Sequence, residues 1–264
     1  MGRKIAIVSG KGGVGKTTIT FGIGLSLARR GRSVCLVDLD VGLNNLDMIF
    51  NAENKVIYDL NDCLEGKCRI KQALVSYENQ ENFYILSSSK CDINTEISDY
   101  KLGMLINKLA SVFDFVLIDC SAGITKYFHL GLKCASEALL VVTPHIASIR
   151  DADKVISLIK GAGVQFDGAI VNRVRGDLLA RGESLSYKQI EYLLKSEIMG
   201  VVPESDEINI HSGNFIKNNA KSEVNMAFNI VSQNLDIGTK TIFDCQKKYR
   251  GFIGFFRRNI KRSV

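Results

Sequence analysis

Prolines, histidines and paired cysteines are scarce in this chain of 264 residues. Pro144 and Pro203 are its 2 prolines, and no Pro/Gly/Ser-rich linker divides it, so one α/β domain of ordinary to large size is expected. His129, His145 and His211 stand far apart, without the spacing of a zinc site. The 7 cysteines, at 35, 63, 68, 91, 120, 134 and 245, are odd in number and include no C-x-x-C pair. Most lie in apolar runs such as Val34-Cys35-Leu36 and Ile118-Asp119-Cys120, which reads as reduced, buried thiols of a cytosolic protein. No stretch of about 20 apolar residues is present to span a bilayer. The apolar stretch 5–8 is short and runs straight into Gly and Lys, unlike a signal peptide.

Acidic residues are missing from one place. Positions 247–262 hold Lys247, Lys248, Arg250, Arg257, Arg258, Lys261 and Arg262 and no acid, whereas the whole chain carries 34 basic and 28 acidic residues. The net charge of +6 therefore sits entirely in the tail. A body without basic surplus argues against nucleic acid as its partner, and the tail is suited to an anionic surface.

What is present begins with 46% hydrophobic residues, enough for a sizeable core. Runs rich in Val, Ile and Leu at 4–8, 33–37, 83–86, 115–118, 138–142, 168–171 and 200–202 read as strands covered on both faces. Helical patterns at 17–30, 101–113, 149–160, 187–195 and 223–235 separate them, and Gly31 and Gly161 stand where helices should stop. The alternation predicts an α/β fold, a mostly parallel sheet with helices on both faces. The region 51–82 gives no assignable pattern.

Between the first strand and the first helix lies Gly10-Lys11-Gly12-Gly13-Val14-Gly15-Lys16-Thr17, followed by Thr18. This is G-x-x-x-x-G-K-[ST] in the required context, the signature of a P-loop. Its glycines let several backbone N–H groups converge on phosphate oxygens, and the following helix adds its positive end. Lys16 is placed to reach the β- and γ-phosphates of ATP, and the Thr17 hydroxyl to ligate Mg²⁺. Lys11 adds a second positive charge to the loop, unfavourable without an anion and available to another subunit's phosphates. Asp38 and Asp40, two apart, share one face at the end of the second strand. Asp119 ends the strand at 115–118, where a Walker B acid holds Mg²⁺.

These pieces, with Asp38-Leu39-Asp40-Val41-Gly42-Leu43-Asn44-Asn45-Leu46-Asp47 and Asp119-Cys120-Ser121-Ala122-Gly123-Ile124, resemble the MinD/ParA family of deviant Walker A, P-loop ATPases. The resemblance runs on through 148–153, Val171-Asn172-Arg173 and Gly200-Val201-Val202-Pro203-Glu204. It implies ATP and Mg²⁺ as ligands, ATP hydrolysis, and a sandwich homodimer in which Lys11 reaches the partner's nucleotide. Asp40 would position the attacking water and Asp38 would act near Mg²⁺. Asn172, Arg173 and the segment after Pro203 would lie at the adenine. Segments 38–47 and 119–124 would sense the γ-phosphate. Division-site placement is implied, with a MinC-like inhibitor and an activating topological-specificity protein as partners. An FlhG-like regulator of flagellar number, a ParA-type DNA partition ATPase and a nitrogenase-like iron protein are the alternatives. The last would need paired cluster cysteines, of which Cys120 is the nearest candidate. Two positions depart from the pattern. Ser121 stands where the second switch usually has proline, so a less rigid loop is expected. His145 replaces a frequent acid after Pro144, and reads as a surface histidine.

A tail helix beginning at Tyr249, at about 100° per residue, would put Phe252, Ile253, Phe256 and Ile260 on one face. Arg250, Arg257, Arg258 and Lys261 would fall on the other. This is the pattern of an in-plane membrane helix, and it divides the chain into an ATPase domain, 1–244, and a membrane-targeting tail, 245–264.

Overall fold

The computed structural model describes residues 1–41, 45–50, 52, 54–77, 80–88, 96–210 and 222–250. In chain order the elements are β1 (Arg3–Val8), α1 (Lys16–Arg29), β2 (Val34–Leu39), α2 (Asn45–Phe50), α3 (Leu60–Leu64), α4 (Ile70–Ala73), β3 (Leu74–Tyr77) and β4 (Gln80–Leu86). Then follow α5 (Asp99–Ala110), β5 (Phe115–Cys120), α6 (Lys126–Cys134), β6 (Glu137–Val142), α7 (Ile146–Gly161) and β7 (Gln165–Val174). The chain continues through α8 (Gly176–Arg181), α9 (Tyr187–Leu194), β8 (Ile198–Pro203), α10 (Asp206–Ile210) and α11 (Glu223–Ile237).

The strands form one sheet in the order β3-β4-β2-β5-β1-β6-β7-β8. β3 pairs antiparallel with β4, and every other pairing is parallel. All seven expected strands and all five expected helices are there, each shifted at its ends by a few residues. Successive side chains along a strand point to opposite faces, so each central strand feeds two cores. Ile5 and Ile7 lie in a core with α1 and α11 residues, while Ala6 and Val8 lie in a core with α5, α6 and α7 residues. Both faces being covered explains why these strands read as continuous apolar runs.

Three features differ from the sequence reading. α7 runs through Gly161, and the left-handed residue that closes it is Gly163 (φ 72°). Helix α6 carries a His, two Lys and a Gly among its apolar residues, which masked its pattern, although Tyr127, Phe128, Leu130, Leu132 and Cys134 are buried. The first residues assigned to the tail, 245–249, pack on the body. Cys245 is buried, Lys248 is ion-paired to Glu223, and a Cβ on Gly176 would lie 2.0 Å from the Cys245 carbonyl oxygen. Lys247–Tyr249 is a single 3₁₀ turn, and Arg250 is extended at φ −88°, ψ 155°. The helix expected from Tyr249 therefore does not start there. Tyr249 is held against α8 by packing that a periodicity count does not register. Phe252, Ile253, Phe256, Arg257, Arg258, Ile260 and Lys261 lie outside the described residues.

Helix α1 approaches its neighbours through glycine. A Cβ on Gly22 would sit 2.3 Å from Phe228 Cζ in α11. The aromatic ring thus occupies the space a side chain would need. Gly22→Ala is expected to destabilise the protein by about 1–3 kcal/mol through overpacking. The measurement is the denaturant midpoint, and an unchanged midpoint would mean that the Phe228 ring moves aside at no cost.

Candidate nucleotide site

Strand parity and register build the site. In β2 and β5, the residues Leu36 and Leu117 face the α1 core, so Asp38 and Asp119, each two residues further on, face α1 as well. The two aspartates are register partners on adjacent parallel strands, which places their backbones about 4.8 Å apart. Both are buried. Lys16 comes down from the first turn of α1, and its Nζ donates to Asp119 Oδ1 at 2.7 Å, with Lys16 5% and Asp119 0% exposed. The Thr20 hydroxyl, one turn further along α1, is 3.0 Å from the Lys16 carbonyl and 3.1 Å from Asp119 Oδ1.

This cluster is short of positive charge and of donors. Asp38 Oδ1 accepts the Asp40 amide at 2.8 Å, but Asp38 Oδ2 and Asp119 Oδ2 are buried with no hydrogen-bond partner among the described residues. Burial first, then the Asp119 charge, with Asp47 adding less, pushes the Asp38 carboxyl up to about 7, against the Asp40 amide and Lys16. Asp40 is raised too, by burial and then by Asp119, with Lys16 opposing. Burial works against the Lys16 ammonium, yet Asp119 and then Asp40 outweigh it and hold its pKa above the ordinary value. Two orphaned carboxylate oxygens beside a half-buried threonine are a donor set that Mg²⁺ suits, and Thr17, Asp38 and Asp119 are the residues that could hold it. No cluster of three His, Cys, Asp or Glu ligands exists among the described residues.

Above the cluster opens a cavity of about 360 Å³ lined by Ser9, Lys11 through Thr18, Asp40, Met48, Ile49, Ala122 and Arg173. Gly13 (φ 77°) and Gly15 (φ 85°) hold the left-handed conformations that curl the loop. Gly10 packs directly on the start of α7, where its Cβ would meet Asp151 at 2.8 Å. Lys11 is exposed and makes no ion pair among the described residues. A second recess of about 90 Å³ adjoins, lined by Gly15, Thr18, Asn172, Arg173, Pro203, Glu204, Ser205 and Ile208. Asn172 donates to the Val14 carbonyl at 2.8 Å, which clamps β7 to the loop and leaves its buried Oδ1 unpartnered. Arg173 lines both recesses and has a left-handed backbone (φ 57°). A non-glycine residue in that region costs conformational energy.

The structure thus gathers every P-loop residue with Asp38, Asp40, Asp119, Asn172, Arg173 and Pro203. Of segment 38–47, residues 42–44 lie outside the described residues. Thr20 was missed, although a threonine four residues after Lys16 must share its helix face. Met48 and Ile49 were missed for want of any local signal, and Asp151, inside the resembling segment 148–153, drew no role from it. In the second switch, the Ser121 and Thr125 hydroxyls are hydrogen-bonded, and the Gly123 amide donates to the Ser9 carbonyl at 3.1 Å. The loop expected to be loose without proline is tied at both ends. His145 is exposed at the N-cap of α7, with Nδ1 3.2 Å from Thr143 Oγ1. Cys120 is buried against Gly131 and reaches no surface, which removes it as a cluster ligand.

Residues 5–214 match the CobQ/CobB/MinD/ParA nucleotide binding domain. A putative septum site-determining protein MinD of Guillardia theta is 37% identical over 98% of this chain and 97% of its own. The chain belongs to the MinD/ParA family. Among MinD structures, it is similar to the protein complexed with Mg-ADP from Pyrococcus horikoshii OT3 (TM-score 0.80, 30% identity, 90% of this chain and 97% of that one). It is also similar to a chain of the MinC:MinD cell division protein complex of Aquifex aeolicus (TM-score 0.82, 35% identity, 90% and 97%). The protein is thus a nucleotide-binding P-loop ATPase of the MinD/ParA family, with the parallel-sheet fold of its MinD members.

A pH dependence follows from Asp38. The folded state binds its proton more tightly than the unfolded chain, whose carboxyl titrates near the ordinary 3.8. Stability from this group is complete below that value and is lost as pH rises through about 7. In nucleotide-free and magnesium-free protein, Asp38→Asn should escape the loss. Its stability advantage over the parent should widen by about 1.4 kcal/mol for each pH unit crossed in that window. Denaturant melts of both proteins across the window test this, and a constant difference would contradict it.

Proposed function

We propose that this protein is an ATP-driven membrane switch that regulates division-site (septum) placement. The observation that carries the reading is the contrast between its two P-loop lysines. Lys16 is buried on Asp119, inside its own site, while Lys11 stands exposed at the mouth of the same cavity without an ion-pair partner among the described residues. An unpaired lysine at a phosphate site is suited to a second nucleotide, presented by a second copy of the chain. In this reading ATP binds with its phosphates over residues 10–18 and its adenine in the recess of Asn172, Arg173 and Pro203. Thr17, Asp38 and Asp119 would hold Mg²⁺, which would supply charge neutralisation at the phosphates. Asp40, half-buried on the cavity wall, orients the attacking water.

Two copies closing face to face bring each Lys11 to the partner's phosphates and bring two tails together. Each basic residue beside an anionic leaflet contributes about 1 kcal/mol, and each buried apolar side chain roughly 1.5–3 kcal/mol. Ordering the tail costs about 1–2 kcal/mol per residue of backbone alone. One tail is therefore marginal, and pairing raises avidity by about 10²–10⁴. No helix among the described residues is long and apolar enough to cross a membrane; in this reading the tail attaches the protein to the inner face. Hydrolysis separates the copies and releases them. The similarity to MinD in the MinC:MinD complex supports a MinC-like division inhibitor as cargo, and an activating topological-specificity protein completes the cycle.

Sedimentation with anionic liposomes in ATP, in ADP and without nucleotide tests the reading. The full chain should pellet in ATP only. A chain ending at Arg250, which keeps the packed segment through Tyr249, should remain in the supernatant while still hydrolysing ATP. Asp40→Ala should pellet in ATP but turn over slowly, and Lys11→Ala should neither pellet nor dimerise. Pelleting of the truncated chain would overturn the tail as anchor.

A further inference from the structure

Outside the nucleotide site, two half-buried thiols face each other. Cys63 Sγ and Cys68 Sγ are 3.4 Å apart. Local structure imposes the meeting. Asp59 caps α3 in a reciprocal box with Asp62, which fixes the helix that carries Cys63. That helix ends in a left-handed turn at Gly66 (φ 77°), where the Gly66 amide donates to the Cys63 carbonyl at 3.2 Å and the Lys67 amide to the Asp62 carbonyl at 2.9 Å. This glycine-closed turn reverses the chain and returns Cys68 over Cys63. On the far side, the Arg69 amide donates to Gln72 Oε1 at 2.9 Å at the start of α4. Both arms of the turn are therefore held, and the sulfurs need approach by only roughly 1.4 Å to reach bonding distance.

We propose that Cys63 and Cys68 form a reversible dithiol–disulfide couple, oxidised by a low-molecular-weight disulfide such as glutathione disulfide. Burial, then the Cys68 hydrogen bond and the neighbouring Asp59 and Asp62, disfavours the thiolate of Cys63 and pushes its pKa up to about 12. First attack is therefore assigned to Cys68, the other member of the pair. Its thiolate displaces one glutathione thiolate and forms a mixed disulfide. Cys63 then loses its proton to solvent, attacks Cys68 Sγ and expels the second glutathione thiolate. The protein loses two electrons and two protons, and one disulfide is reduced to two thiols. The bond closes a short loop between elements that are already aligned, so it adds little constraint to the unfolded chain. That suits a couple that opens again with reductant. Among the described residues the other thiols, Cys35, Cys120, Cys134 and Cys245, are buried and not accessible to the same oxidant.

The test uses the full chain in glutathione buffers of graded ratio, quenched with an alkylating agent and digested with trypsin. Cleavage after Lys67 separates the two cysteines. The expected result is residues 56–67 joined to residues 68–69, two hydrogens lighter than the separate thiols and lost on reduction. Cys63→Ser should instead accumulate a stable glutathione adduct at Cys68, because nothing resolves it. Melting curves of the variant establish that it is folded. A parent protein that accumulates the Cys68 adduct without closing, or that leaves both thiols free while the buffer is fully oxidised, would overturn the proposal.

Discussion

Lys16 and Asp119 form an ion pair that is almost completely buried, and the surrounding structure is arranged to make that burial tolerable. Removing two charges from water costs several kcal/mol per ion, which their attraction offsets only with good geometry and further hydrogen bonds. The geometry comes from β5, whose parity turns Asp119 toward α1, and from the P-loop, which starts α1 one turn before Thr20. The pair also has too little positive charge for its neighbourhood. Asp38 faces Asp119 across adjacent strands and brings a second carboxylate to one ammonium. The nucleotide-free site is thus held together with its electrostatics unfinished, and a bound cation together with phosphates is what completes it.

The contrast between the two loop lysines follows from the same constraint. Lys16 is spoken for by a buried acid, so it cannot swing outward without stranding Asp119. Lys11, on the solvent side of the loop, has no such obligation. At the mouth of the nucleotide cavity, its charge is unfavourable beside Lys16 until an anion arrives. The charge map extends this asymmetry to the whole chain. A body that is nearly neutral contrasts with a tail that carries the entire surplus.

What was legible in the sequence was what depends on near neighbours. Each parallel strand announced itself because burial on both faces demands an apolar run, and the P-loop because its chemistry is local. The edge strand β3 was invisible. It is short and antiparallel, only partly buried, and defined by pairing with β4 rather than by its own pattern. The packing of Cys245 and Tyr249 against Gly176 was equally hidden, since it joins residues about seventy positions apart. The scan for C-x-x-C passed over Cys63 and Cys68 because the glycine turn, not the spacing, brings them together. Likewise, the missing proline of the second switch suggested looseness. The hydroxyl pairing of Ser121 with Thr125 depends on α6, a helix the sequence did not reveal.

That tied loop joins the P-loop to α6. Residues 121–125 follow β5, whose last two residues are Asp119 and Cys120, touch the P-loop through the Gly123 amide and the Ser9 carbonyl, and end at Thr125, which caps α6 by accepting the Phe128 amide. Thr125 therefore serves two partners, the helix and Ser121. The segment thus starts beside the buried Lys16–Asp119 pair and is fixed at both ends. A proline ring would hold it through its locked φ. A pair of hydroxyls holds it through one hydrogen bond, which can be exchanged. Ser121 thus replaces a covalent restraint with a hydrogen bond, and Thr125 joins that bond to the N-cap of α6.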